Sequence, residues 1–236
     1  MVLFGGVVVV VVVVFCFFCV KIHTRTFYTH RQDNIMKLCF IGNSGSGKTT
    51  LAERIALSLE EPMHYANVKD LPTPLQEDNF TEVIAKQEAI RDKILGNIAT
   101  HGSGCFDRSV FDQYCYSNRF LGDCLSKLNT DKLQGANYFH MLKRALAHLK
   151  WSRILLKREV THIERYFYCE PLADYIKKQQ ITFEYEEKAK KRFGDLILQE
   201  IYVTMLKILP KDRLVIVPAM GLEERVDFVL EALKSE

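Results

Sequence analysis

The sequence predicts an α/β fold of three layers, built on a parallel sheet of about five strands. Three observations carry it. A short apolar run, Leu38–Ile41, passes through a glycine-rich turn into an amphipathic helix. Further short apolar runs, "MHYANV", Cys105–Asp107 and Arg153–Leu156, alternate with helical patterns. The chain closes with one more pair, Leu214–Val217 followed by "LEERVDFVLEAL".

The 236 residues suit one domain with an extension, and 48% hydrophobic content is enough for a sizeable core. The formal charge is +3. Met1–Ile35 carries Lys21, Arg25, Arg31 and Asp33, so the remainder is nearly neutral and no nucleic-acid footprint is expected. The seven cysteines are odd in number and scattered in spacing, which argues against a disulfide framework. Cys16 and Cys19 form a lone CxxC in an apolar run, without the four ligands a zinc site needs.

The start of the chain, "MVLFGGVVVVVVVVFCFFCV", has no charged side chain and contains eight consecutive valines. Residues 2–20 reach the ~18–20 residues that span a bilayer. Lys21, Arg25 and Arg31 would then keep the rest of the chain cytoplasmic. Homopolymeric valine is equally a low-complexity stretch ahead of Met36, and so an upstream over-extension of the reading frame. A targeting segment is the third reading. A cleaved secretory signal fits poorly, because no charge precedes the apolar run. The expected organisation is an apolar extension over 1–35 and one domain over 36–236. The expected location is cytoplasmic, or membrane-anchored with that domain facing the cytoplasm.

In "MKLCFIGNSGSGKTTLAERIALSLE", Gly42, Gly47, Lys48 and Thr49 match G-x-x-x-x-G-K-[ST]. Glycine permits positive φ and close backbone approach. Successive N–H groups of Gly42, Asn43, Ser44, Gly45, Ser46, Gly47, Lys48, Thr49 and Thr50 then cradle anionic oxygens at a helix N-terminus. Lys48 reaches the β- and γ-phosphates of ATP, and the Thr49 hydroxyl binds Mg²⁺. The helix behind it carries Leu51, Ile55 and Leu59 on one face, with Ala52 and Ala56 beside them.

With Gly45, the loop reads GxxGxGK[ST], and it resembles the P-loop of small nucleoside- and nucleotide-kinase-like proteins. Most similar are the AAA-named ATPase/kinase proteins related to the ribosylnicotinamide kinase domain of bacterial NAD regulators. The resemblance implies a P-loop NTPase fold, adenylate-kinase-like, with a helical lid, and ATP-dependent phosphorylation of a small molecule. No N-K-x-D motif, LSGGQ-type signature or apolar run ending in Asp-Glu points instead to a GTPase, a transporter ATPase or a ring-forming motor.

"NFTEVIAKQEAIRDKILGNIA", Asn79–Ala99, reads as a helix capped by Asn79, with Phe80, Val83, Ile84, Ile90 and Ile98 as its apolar stripe. "HGSG" breaks it, and "CFD" forms a strand ending at Asp107. Ligands bind at the carboxyl ends of such strands. Asp107 there can share Mg²⁺ with Thr49. Arg108 can clamp the acceptor or steady charge on the transferred phosphoryl. Asp107, Arg108, Ser109, Asp112 and Tyr116 are similar to the kinase-like "DR[ST]xxDxxAY", with Cys115 replacing the usual Ala. A structural role is compatible: Ser109 caps a helix and Asp112 is its third-position acid.

Nucleoside kinases commonly place an acid near the end of the second strand as a base. This chain has Asn67 there and Asp70 three residues on, which leans toward an acceptor that is already a phosphate. Gln87 sits at the polar edge of its helix, either exposed or facing a base or ribose. Arg153–Leu156 reads as the fourth strand, which makes Arg158 and Arg165 the lid residues that close on phosphates, with Lys157 behind them. Tyr138–Lys150 is a core helix. "EKAKKRFGDLILQEIYVTMLKIL" is a further long helix, with Phe193, Leu196, Ile197, Ile201, Met205 and Leu206 as its apolar face. Loop Pro218–Gly221 stands where adenylate-kinase-like proteins meet adenine.

The function expected is transfer of the ATP γ-phosphoryl to a nucleoside, nucleotide or related metabolite. The alternative is a nucleotide-dependent regulator or membrane-tethered ATPase acting on a protein partner. The sequence sets no oligomeric state.

Overall fold

The computed structural model describes residues 36–66, 80–130, 136–172, 175 and 196–234, excepting the side chains of 80, 81 and 123–138. Five strands form one parallel sheet in the order β2-β3-β1-β4-β5. They are β1 Lys37–Ile41, β2 Met63–Tyr65, β3 Gly104–Asp107, β4 Arg165–Cys169 and β5 Leu214–Val217. Six helices are described: α1 Lys48–Leu59, α2 Phe80–Thr100, α3 Val110–Thr130, α4 Ala136–Glu159, α5 Leu196–Leu206 and α6 Leu222–Lys234.

Side chains alternate across each strand, so the central strand is divided between two cores. Leu38 and Phe40 pack with Cys105, Phe167, Cys169 and Val217 against Leu51, Ile55, Val226 and Val229 of α1 and α6. Cys39 and Ile41 pack with Phe106, Tyr166 and Tyr168 against α2, α3, α4 and α5. The result is three layers, with the sheet buried on both faces as a parallel sheet requires. Leu51 and Ile55 are fully buried, and burial of each such side chain stabilises by about 1.5–3 kcal/mol.

Register fixes what stands where. Phe40 pairs with Asp107, and Tyr65 also pairs with Asp107, so the carboxyl ends of β1, β2 and β3 share one edge. Leu38 pairs with Arg165 and Ile41 with Tyr168. Arg165 therefore begins β4 at the amino edge, a strand length from the phosphate loop.

This corrects the expected fourth strand. Arg153–Leu156 lies inside α4, where Leu155 and Leu156 are buried and Trp151 is 47% exposed. Short apolar runs fit helix and strand equally, and here the preceding helix continues without a breaker until Val160. The true β4 is the aromatic "RYFYC", a composition that suits a pleated buried surface. The helix ends where Thr161 Oγ1 donates to Arg158 O at 2.7 Å and Arg213 donates to Val160 O at 2.8 Å.

The face of α5 is corrected in part: Ile201, Met205 and Leu206 pack on the core as expected, but the face is shifted. Leu198, Tyr202 and Leu206 are buried at spacings of four, whereas Leu196 and Ile197 are exposed. Gln87 is buried rather than exposed on α2. Phe193, Asn67, Asp70, Asn79 and the lid segment after Leu172 lie outside the described residues, Tyr175 excepted. So does the apolar extension 1–35; among the described residues no helix is long and apolar enough to cross a membrane.

Candidate active site

Strand β1 delivers Gly42 to the carboxyl edge of the sheet. A Cβ on Gly42 would stand 2.7 Å from Cys169 O, so only glycine fits. Gly45 and Gly47 have φ of 83° and 71°, the left-handed region that glycine enters freely. The loop closes with Ser46 N–H donating to Asn43 O at 3.2 Å. Thr50 is exposed on the first turn of α1. Lys48 is buried and donates to Asn43 O at 3.3 Å. Burial, then repulsion from Arg108, lowers its pKa, while Asp112 and Asp107 oppose that. Asn43 Nδ2 and Ser46 Oγ are buried without hydrogen-bond partners.

The end of β3 meets this loop. Thr49 Oγ1 donates to Asp107 Oδ2 at 2.9 Å, and Asp107 Oδ1 is buried with no partner. A carboxylate oxygen in that state is available to a hard cation, which takes one or two protein carboxylates and the oxygens of a phosphate ligand. Among the described residues no group of three or more His, Cys, Asp or Glu is placed to hold a metal ion.

Arg108 sits at φ 89°, outside the comfortable range of a residue with a Cβ. That turn lets Asp107 face the loop while Ser109 opens α3. Ser109 Oγ accepts from Phe111 N–H at 3.0 Å, and Asp112 Oδ2 accepts from Ser109 N–H at 2.9 Å, a reciprocal capping box. Asp112 does more. Its Oδ1 accepts from Gly42 N–H at 2.9 Å and from the Tyr202 hydroxyl at 2.6 Å. It thus ties β1, α3 and α5 at the root of the loop. Burial raises its pKa, against the pull of Lys48 and these hydrogen bonds.

Beyond Arg108 lies a cavity of about 160 Å³ lined by Lys86, Gln87, Ile90, Ile94, Arg108, Gln113, Tyr116 and Phe120. A cavity of about 150 Å³ admits benzene, so this one has room for an aromatic ring. Tyr116 and Phe120 stack at 6.1 Å, and the Arg108 guanidinium lies 5.7 Å from the Tyr116 ring. The Tyr116 hydroxyl accepts from Ser44 N–H at 3.0 Å, so one side chain borders both the cavity and the phosphate loop.

Structure thus brings together the loop, Asp107, Arg108, Asp112 and Tyr116. It does not bring Arg158 or Arg165 to them. Arg158 is in the last turn of α4, at the amino edge, and Arg165 donates to Asp212 O at 2.8 Å. Their expected role rested on the misplaced fourth strand. Sequence reasoning missed Tyr202 and Arg225. Arg225 is 1% exposed and donates to Ser46 O at 2.8 Å, with Nε and its other terminal nitrogen unpartnered. A basic residue in "EERV" gave no signal beyond helical spacing.

No family model matches the chain, and no curated protein matches its sequence. Solved structures do. The M. mycoides deoxyadenosine kinase with bound dATP is similar over 85% of this chain and 100% of that one, at 17% identity and a TM-score of 0.56. The same enzyme with bound dCTP gives 15% identity over the same shares, with a TM-score of 0.56. This chain has a P-loop nucleoside-kinase-like fold. NadR in complex with NR is similar over 85% of this chain and 52% of that one, at 15% identity and a TM-score of 0.47.

Proposed function

We propose that the protein is an ATP-dependent phosphotransferase whose acceptor is a nucleoside or nucleotide. The observation that carries this is the junction at Arg108. On one side, Lys48, Thr49 and Asp107 face a phosphate cradle. On the other, an aromatic-walled cavity ends in buried amides, the chemistry that holds a flat heterocycle by stacking and by its edge. Acyl or hydride chemistry calls for other groups.

Loop N–H groups bind and orient the triphosphate. Lys48 lies against the loop, where its ammonium stabilises charge on the transferring oxygens. Thr49 and Asp107 would hold Mg²⁺, which supplies charge neutralisation between the outer phosphates when bound. Arg108, held between the two halves, aligns the acceptor with the γ-phosphoryl. Asp112 and Tyr202 fix the loop from below. Transfer through a loose transition state demands chiefly this positioning.

The test is a panel of nucleosides and nucleoside monophosphates incubated with ATP and Mg²⁺, read for phosphorylated product. Product from at least one acceptor is expected. ATP hydrolysis with no phosphorylated acceptor would sink the reading and leave a nucleotide-dependent regulator.

A further inference from the structure

Behind the cavity, four buried polar side chains share one cluster: Gln87, Gln113, Ser117 and His148. Gln113 Nε2 donates to Ser117 Oγ and lies 3.3 Å from His148 Nε2. Ser117 Oγ lies 3.3 Å from Gln87 Oε1 and 3.1 Å from His148 Nε2. His148 Nδ1 is buried and makes no hydrogen bond, but the Glu88 carboxylate faces it at 3.8 Å, close enough for its charge to favour a proton there. Gln113 Oε1 is buried without a partner, although Gln113 and Gln87 both line the cavity.

The protons can be assigned by counting donors. A glutamine amide has two N–H donors on one side and an acceptor on the other. Glu88 favours the histidine tautomer with its proton on Nδ1, which leaves Nε2 an acceptor. Gln113 Nε2 then sends one N–H to Ser117 Oγ and the other to His148 Nε2. The Ser117 hydroxyl hydrogen is free for Gln87 Oε1. The other arrangement, with the Ser117 hydroxyl donating to His148 Nε2, leaves Gln87 Oε1 without a donor, so the first satisfies more of the buried acceptors. The Gln113 carbonyl and the Gln87 NH₂ are what remain for a ligand. Moving the proton to His148 Nε2 reverses the whole chain and both amides with it.

We propose that His148, acting through Ser117, is a positioning residue that fixes the polarity of the acceptor pocket, so that the pocket separates amino-bearing from keto-bearing heterocycles. An aminopyrimidine edge, as in adenine or cytosine, presents an exocyclic donor beside a ring acceptor. The lactam edge of hypoxanthine or uracil presents the reverse. Two amides locked in opposite senses match one order and oppose the other. Burial lowers the pKa of His148, as does Arg91, against Glu88 and Asp92, which favours the neutral ring, whose tautomer then decides. This inference rests on the acceptor reading above.

The experiment measures kcat and KM of the full-length chain with ATP on matched pairs, adenosine with inosine and cytidine with uridine. Each is supplied as ribo- and deoxyribonucleoside and as monophosphate. The wild type is expected to favour one member of a pair by tenfold or more. His148→Phe keeps the ring shape and removes the acceptor; the preference should fall toward unity, mainly through KM. His148→Gln returns an oxygen to the Nε2 position and should restore much of it. If His148→Phe does not fold, Ser117→Ala decides, with the same loss expected. A wild type without preference, or an undiminished preference in a folded His148→Phe or Ser117→Ala chain, overturns the inference and leaves the acceptor reading standing. Failure of every acceptor overturns that reading itself.

Discussion

Thr49 and Asp107 lie 58 positions apart in the chain, yet the Thr49 hydroxyl donates to Asp107 Oδ2 at 2.9 Å, and the second Asp107 oxygen is buried and unpartnered. Under the proposed function this pair would hold the divalent cation. Asp107→Asn keeps an acceptor for Thr49 and removes the charge. Phosphoryl transfer should fall on the order of 10²–10³-fold, the usual consequence of removing one group that stabilises developing charge. Thermal stability should hardly change. Steady-state kinetics with a Mg²⁺ titration checks it, and wild-type turnover in the variant would refute the assignment.

Lys48 should oppose stability and function to each other. Its ammonium is buried, and burial lowers its pKa, so the charged form is disfavoured in the fold relative to water. Lys48→Met removes that charge at similar volume. Without nucleotide, the variant should melt higher, by roughly 2–4 °C if about 1 kcal/mol is recovered. Transfer to any acceptor should be lost. A melting curve with an activity assay on the same sample decides it; a lower melting temperature would contradict the argument.

Much of this site was legible in residues that carry local signals. The phosphate loop announces itself because backbone approach demands glycine at Gly42 and Gly47, followed at once by Lys48 and Thr49. The strand end at Asp107 is legible because "HGSG" isolates a short apolar run before it. What stays hidden is contact between distant elements. Nothing near Tyr202 marks it as the partner of Asp112, and nothing near Arg225 marks it as reaching Ser46. Strand four was missed for another reason. Arg153–Leu156 and Tyr166–Cys169 both read as short apolar runs, and packing of α4 against α2 and α3 holds the first of them in a helix.

Arg108 should show a backbone cost. At φ 89° a side chain with a Cβ is strained, at about 1–3 kcal/mol for such a conformation. Both Arg108→Ala and Arg108→Gly lose the guanidinium and should be equally impaired in transfer. Arg108→Gly should be the more stable of the two by about 1 kcal/mol, since glycine enters this region freely. Urea unfolding of the two variants measures it. Equal midpoints would mean that the strain is relieved in solution.

Arg158 and Arg165 give the converse test. Both stand at the amino edge of the sheet, away from the phosphate loop. Arg158→Ala and Arg165→Ala should each keep transfer within roughly twofold to threefold, the kinetic equivalent of the ~0.5 kcal/mol typical of surface changes. A loss of a hundredfold in either would restore it to the site.

Glu159 should govern how stability depends on pH. It is 1% exposed; its Oε2 accepts from Val110 N–H at 2.6 Å and its Oε1 from the Tyr166 hydroxyl at 3.0 Å. Burial pushes its pKa up from 4.5 to about 8 in spite of these bonds. The folded state therefore holds a proton that the unfolded state has released. Stability from this group is complete below about pH 4.5 and is lost as pH rises through about 8. Asp112, also raised, adds the same sign. Between those limits the slope approaches a loss of about 1.4 kcal/mol per pH unit. Glu159→Gln imitates the protonated side chain and cannot titrate. Its urea midpoint should equal or exceed that of the wild type, with the difference widening from pH 5 to pH 8. Parallel pH profiles for the two proteins would show that Glu159 ionises in the folded chain as it does in water.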